Sequence, residues 1–382
     1  MIQTWAIFKE SYLHLNSKKL FWVSLIISGL IVLTFGAIGI DEDGMSFLFW
    51  DLPFPLNSSW LAPGFFYKFA FAQFGVRLWL TWGATILALV CTAGIIPEFL
   101  SGGSIDVTLS KPISRLRLFL TKYAAAMLFV ALQVGVFAGA SFLVIGLRGG
   151  TWEPAILLSI PLVVIFFSYI YAVCVLLGVL TRSTVAALLL TLLIWMGFFA
   201  VHLTESALLM FRTQTEQQVQ WLRDDVASRE ATLESARAEP KEGIVNTLRS
   251  GFNVNSKEAE LTRRREQLAD KEESLRAVVA WHTGVVAAKT ALPKTSETIG
   301  LLERRLIDMA DLSGFADDEG GVQMQFDDED DDLPVPRDDA AVSRAIVEKS
   351  RARSVWWIIG TSLIFEAVVV GLAARIFCRR DF

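Results

Sequence analysis

Hydrophobic residues in this chain fall in unbroken blocks, not in the alternating patterns of a water-soluble fold. Leu20–Ile40 is an uncharged run of 21 residues, and apolar runs of similar length follow at Leu78–Ile96, Tyr123–Leu147, Ala155–Leu180, Ser183–Leu203 and Val355–Ala374. At about 1.5 Å per residue each can cross a hydrocarbon core of roughly 30 Å. The pattern predicts an all-α membrane protein with six transmembrane helices. A secretory signal has a shorter apolar core and a small-residue cleavage site, so the first run reads as an uncleaved span.

The polar segments divide the chain further. Met1–Lys19 is short and amphipathic, suited to lie along the membrane surface (residues 1–19). Spans one to five occupy 20–204, an insert fills 205–352, and the sixth span with a basic tail takes 353–382. Asp41–Arg77 holds Pro53, Pro55 and Pro63 among many aromatics, which predicts an interfacial loop, with a ligand-binding aromatic cluster as the sharper alternative. Within the insert, Val219, Leu222, Val226, Leu233 and Ala236 recur at helical spacing, and Leu261, Leu268 and Leu275 recur in sevens. Pro240, Gly243, Gly251, Asn253 and Asn255 lie between them, so an antiparallel helical hairpin or short coiled coil is expected. Ala277–Met309 reads as apolar, amphipathic helix interrupted at Pro293 and suited to the outer membrane surface. Asp317–Asp332 reads as an acidic, solvated and disordered linker, with a calcium site as the sharper alternative, although the calcium-loop spacing is absent.

Charge changes the picture by setting sidedness. The insert carries 20 Lys+Arg against 30 Asp+Glu, while the rest of the chain carries 15 against 10. With the N-terminus inside, cytoplasmic segments hold Lys9, Lys18, Lys19, Lys111, Arg115, Arg117, Lys122, Arg182, Arg375, Arg379 and Arg380, against Lys68, Arg77 and Arg148 in the short outer loops. This bias of eleven to three predicts cytoplasmic termini and an extracytoplasmic insert. No basic stripe suggests nucleic acid. Cys91, Cys174 and Cys378 are isolated, with neither disulfide nor metal spacing.

Candidate chemistry is sparse. There is no G-x-x-x-x-G-K-[ST] loop, no H-E-x-x-H and no G-x-S-x-G, so no catalytic residues, cofactor or metal are expected and the chain does not read as an enzyme. Glu366 stands near the middle of the last span, where a carboxyl is costly. It either lines a substrate or ion path or hydrogen-bonds a neighbouring helix. Ala131, Gly135 and Gly139 form a small-residue stripe on the third span, expected to pack closely. Pro97–Lys122, between spans two and three, is a short polar loop held by two membrane helices, placed to receive a push from a soluble partner.

Four features together resemble the membrane subunit of type-2 ATP-binding-cassette (ABC) permeases, the six-span exporter-like class. Phe8-Lys9-Glu10 through Lys18-Lys19 is similar to the family's amphipathic entry into its first span. Glu98, Gly102 or Gly103, Leu109, Pro112, Ser114, Arg115 and Lys122 resemble its loop between spans two and three, although Ser104 stands where Thr is common. Ala291-Leu292-Pro293-Lys294 resembles an L-P segment between spans five and six, and Phe377-Cys378-Arg379-Arg380-Asp381-Phe382 an F-x-R-R-D ending. The resemblance covers a little over half the chain; the Thr204–Val279 region is larger than the family's usual outer loop.

The resemblance implies a permease subunit in a bacterial cytoplasmic membrane, surrounded by lipid. It implies a second permease subunit, identical or different, and a cytosolic ABC ATPase whose closure reaches spans two and three through the loop at Pro97–Arg115. Two other functions stay open: an ATP-driven machine that acts on an envelope partner through the outer hairpin, and an ion-driven secondary transporter using Glu366.

Overall fold

The computed structural model describes Leu13 and residues 19–41, 44–47, 50–51, 63–101, 114–238, 244–306 and 339–379. Helices make up about 92% of the structure, which fixes the class as all-α. Five continuous helical runs among the described residues are long and apolar enough to cross a membrane: Gly64–Leu100, Arg115–Arg148, Pro154–Thr181, Thr184–Ser235 and Val355–Arg379. The chain is a helical membrane protein.

The first apolar run forms α1 (Lys19–Ala37), shorter than the block suggested. It ends where Ile38 enters a three-stranded antiparallel meander of β1 (Ile38–Asp41), β2 (Gly44–Phe47) and β3 (Trp50–Asp51), with Asp41 opposite Gly44 and Phe47 opposite Trp50. Gly36 and Gly39 weaken the helix here, while Ile38, Ile40, Phe47 and Trp50 suit a pleated surface.

The stretch expected as one interfacial loop therefore holds strands, and it ends early. Helix α2 starts at Pro63 and runs to Ala70, because a proline in the first helical turn sacrifices no hydrogen bond. A π-helical stretch, Phe71–Ala84, follows, in which the hydroxyls of Thr81 and Thr85 donate to carbonyls five residues back (Val76, 2.9 Å; Leu80, 2.7 Å). Helices α3 (Thr85–Thr92) and α4 (Ile95–Ser101) complete the run, separated by a turn at Ala93–Gly94.

Next come α5 (Arg115–Arg148), a 3-10 turn at Pro154–Leu158, α6 (Ser159–Thr181), α7 (Thr184–Ala238), α8 (Ile244–Thr290), α9 (Thr295–Leu306), α10 (Asp339–Arg351) and α11 (Val355–Arg379). Contacts divide the chain into two compact units. The first comprises residues 1–200, 290–315 and 354–382; the second comprises 201–289 and 316–353.

In the first unit α6 is the central helix, packed on α5, α9 and α11, while α1 packs on α5. Its core is aromatic: Phe167 stacks on Tyr171 (5.6 Å), Phe71 on Phe137 (6.1 Å) and Trp82 on Trp195 (4.8 Å). Polar ties join α1 to its neighbours, Trp79 Nε1 donating to Ser28 Oγ (3.0 Å) and the Gln133 amide to Ser24 Oγ. The small-residue stripe on α5 behaves differently from expectation. A Cβ at Gly135 or Gly139 would meet nothing within 4 Å, so among the described residues no helix closes on it.

The second unit is built on two antiparallel helical arms, residues 201–238 of α7 and 244–289 of α8. Val219, Leu222, Val226, Leu233 and Leu261 are buried on their inner faces. Ion pairs Arg223–Glu272 (2.7 Å), Arg265–Glu230 (2.6 Å) and Arg229–Glu260 (2.5 Å) set the register from outside. Gly251, Asn253 and Asn255, expected in the turn, lie within α8 instead, continuous with the strong helix formers Lys257, Glu258, Ala259, Glu260 and Leu261 that follow them.

Candidate coupling site and buried polar clusters

One end of the first unit gathers four chain segments. Helix α4 carries Pro97 and Glu98 in its first turn, where a carboxylate meets the positive end of the helix. Gly94 makes its return possible: a Cβ there would stand 2.0 Å from Glu98 Oε1, so the carboxylate folds back over bare backbone. Pro97 in turn packs on Gly178 near the end of α6, its Cγ 3.0 Å from where a Cβ would be. Glu98 itself is exposed at this end.

Ser114 caps α5, its hydroxyl accepting from Arg117 N at 3.4 Å. The Arg115 guanidinium reaches the last span, Nη1 donating to the carbonyl of Cys378 (3.3 Å). One turn on, Phe119 and Phe377 pack with ring centroids 5.5 Å apart. Lys122 is buried, its ammonium 4.5 Å from the Phe99 ring centroid. Two motifs far apart in sequence, the Ser114-Arg115 turn and the Phe377-Cys378-Arg379 segment, are thus joined. Gly102, Gly103, Leu109 and Pro112 lie outside the described residues, as do Arg380, Asp381 and Phe382, and with them the acidic tract.

Glu366 sits elsewhere in the unit. Its Oε1 accepts from Tyr123 OH (2.8 Å) and its Oε2 from Ser168 Oγ (2.7 Å), so one carboxyl ties α11 to both α5 and α6. Intramembrane hydrogen bonds of this kind contribute about 0.6 kcal/mol each, and under about 2 kcal/mol at most. Glu366→Gln, which still accepts one bond, is expected to leave thermal stability in detergent nearly unchanged, while Glu366→Leu lowers it by about 1–2 kcal/mol. Loss of function in Glu366→Gln at unchanged stability would assign the residue to the path instead.

No family model, curated protein or solved structure matches the chain.

Two clusters were not singled out by sequence. Lys294 is fully buried, its ammonium donating to the carbonyls of Thr290 and Leu292 (both 3.1 Å) and lying 4.6 Å from the Trp357 ring centroid. Its backbone N–H donates to Ser362 Oγ (2.9 Å), fixing the Ala291–Lys294 segment against α11. The break at Pro293 was the available signal, since a chain that leaves the helix there exposes terminal carbonyls that a lysine beside it can satisfy.

The second cluster lies at the base of the arms. Glu205, 2% exposed, accepts from Arg353 Nη2 and from Lys289 Nζ (3.0 Å), and faces His282 Nε2 at 3.4 Å. His282 Nδ1 lies 3.4 Å from Arg212 Nη1, on the far side of the ring from Glu205. Arg212 also holds Glu216 (2.7 Å), which pairs with Lys349 (2.5 Å). Burial opposes the charged form of Glu216, but Lys349 and Arg212 outweigh it and hold the carboxyl below its ordinary value.

Proposed function

We propose that this chain is the membrane-spanning permease subunit of an ABC transporter, exporter-like, driven by a separate cytosolic ATPase subunit and working beside a second permease subunit. The contact between Arg115 and the Cys378 carbonyl carries the reading. It ties the start of α5 to the end of α11 beside the helix that bears Glu98, so a force on the intervening loop is shared by three spans. Helix α1 serves as the first of six spans. The cations Arg115, Arg117, Lys122, Arg182, Arg375 and Arg379 mark the cytoplasmic side of a bacterial inner membrane, with both termini on it. An ATPase subunit is expected to co-purify with the chain in mild detergent; activity in liposomes without any ATPase partner overturns the proposal.

A second reading draws on the ion-paired arms of the second unit, which can transmit force to an envelope partner. Deleting residues 216–280 separates the two. Transport largely survives under the permease reading, and function vanishes under the other.

A further inference from the structure

The outer two-thirds of the arms follow the rule for water: apolar side chains inside, charges outside. At the base charges enter the interior. There Glu205, Thr213, His282 and Lys289 are buried between the helices beside Leu209. The exposed positions on α7 at that level include Leu203, Ala207, Met210 and Phe211, spaced along one helical face. On α8, Ala277–Ala288 is a stretch of 12 residues with no formal charge, bounded by Arg276 and Lys289. Its exposed positions are alanines, Gly284 and Thr283, and Trp281, which is 71% exposed.

Water would favour the opposite arrangement on both counts. Apolar side chains gain on the order of 25 cal/mol per Å² by leaving water, and buried charges lose several kcal/mol by leaving it. Lipid favours what is observed: ionisable groups turn inward and pair, and aromatic rings mark the edge. The sequence also leads into this region without a break, since Ser183–Thr204 carries no charge.

We propose that the base of the helical hairpin is immersed in the membrane, its exposed face (Leu203–Phe211 of α7 and Ala277–Ala288 of α8) covered by lipid, with Phe211 and Trp281 at the headgroup boundary. The return arm then adds a membrane-embedded segment roughly 18 Å long to the spans themselves, at about 1.5 Å per residue. The Glu205–His282–Lys289–Arg353 cluster is the polar interior of that segment. The inference rests on the helical membrane fold alone and is independent of the ATPase partner.

Spin labelling of the full chain in lipid nanodiscs tests it, with Cys91, Cys174 and Cys378 replaced and single cysteines introduced as Phe211→Cys, Trp281→Cys, Ala288→Cys, Ser228→Cys and Ser274→Cys. The last two positions are exposed on the arms. Dissolved oxygen partitions into lipid and a polar nickel chelate stays in water. The oxygen-to-nickel accessibility ratio is expected to rise on the order of tenfold from Ser228 and Ser274 to Ala288, since excluding a polar group from hydrocarbon is worth at least that much, with intermediate values at Phe211 and Trp281. Equal ratios at arm and base overturn the proposal, and so does shielding of the base from both reagents, which would mean a protein surface covers it. Ala288→Cys, nearly isosteric, keeps the test valid where Trp281→Cys fails to fold.

Discussion

Replacing Glu98 by Gln or Arg115 by Ala is expected to lower transport-coupled ATP hydrolysis of the reconstituted complex by about tenfold or more, a coupling of roughly 1–3 kcal/mol. Membrane insertion and thermal stability of the chain should stay near the parent level. Glu98 is exposed and its removal opens no cavity. Arg115 contributes one hydrogen bond to a carbonyl, worth about 1 kcal/mol in stability. The functional loss is larger than the structural one because each residue stands where a push would enter. Glu98 lies on the short helix that Pro97 seats against Gly178, and Arg115 links the start of α5 to the end of α11. Arg115→Lys keeps the charge but shortens the reach, and an intermediate coupling is expected. If both substitutions leave ATP hydrolysis fully coupled, the loop is not the contact between motor and membrane, and the permease reading loses its mechanism.

Five of the expected spans were legible because a membrane helix writes its signal locally: an uncharged block of the right length needs no knowledge of its neighbours. The arms were legible for a related reason, since Val219, Leu222, Val226 and Leu233 repeat at the period of the helix that buries them. Features that depend on backbone geometry were not. Pro63 reads as a breaker in isolation and becomes a helix start only when the chain approaches it in the right conformation. The π-helical stretch shows itself through backbone hydrogen bonding and through Thr81 and Thr85 reaching carbonyls five residues back, which no residue pattern announces. The site depended on pairings across long separations. Arg115 and Cys378 lie 263 positions apart, and Tyr123 and Glu366 lie 243 apart. The sequence places Glu366 in a span, but only the fold decides that its partners are Tyr123 and Ser168. Glu205 was hidden differently: at the end of an apolar run it resembles the ordinary polar edge of a span.

That carboxylate carries the second large effect. Glu205→Ala is expected to destabilise the second unit by about 3–5 kcal/mol, because it removes the anion shared by Lys289 and Arg353 while both cations stay largely out of solvent. Thermal unfolding of the second unit in detergent or nanodiscs should show a shift on the order of 10 °C or more, at about 3–5 °C for each kcal/mol in a unit of this size. Glu205→Gln keeps the shape and some hydrogen bonding but not the charge, so most of the loss should persist. The decisive variant replaces the group as a whole. Glu205→Leu combined with Lys289→Met and Arg353→Met should recover most of the stability, since an apolar set of similar volume avoids the cost of desolvating three charges. A single-site loss below about 1 kcal/mol, the value of a solvent-exposed pair, would show that water reaches the cluster. Such a result would also count against a lipid-covered base, because a dry surrounding is what makes the missing carboxylate so costly.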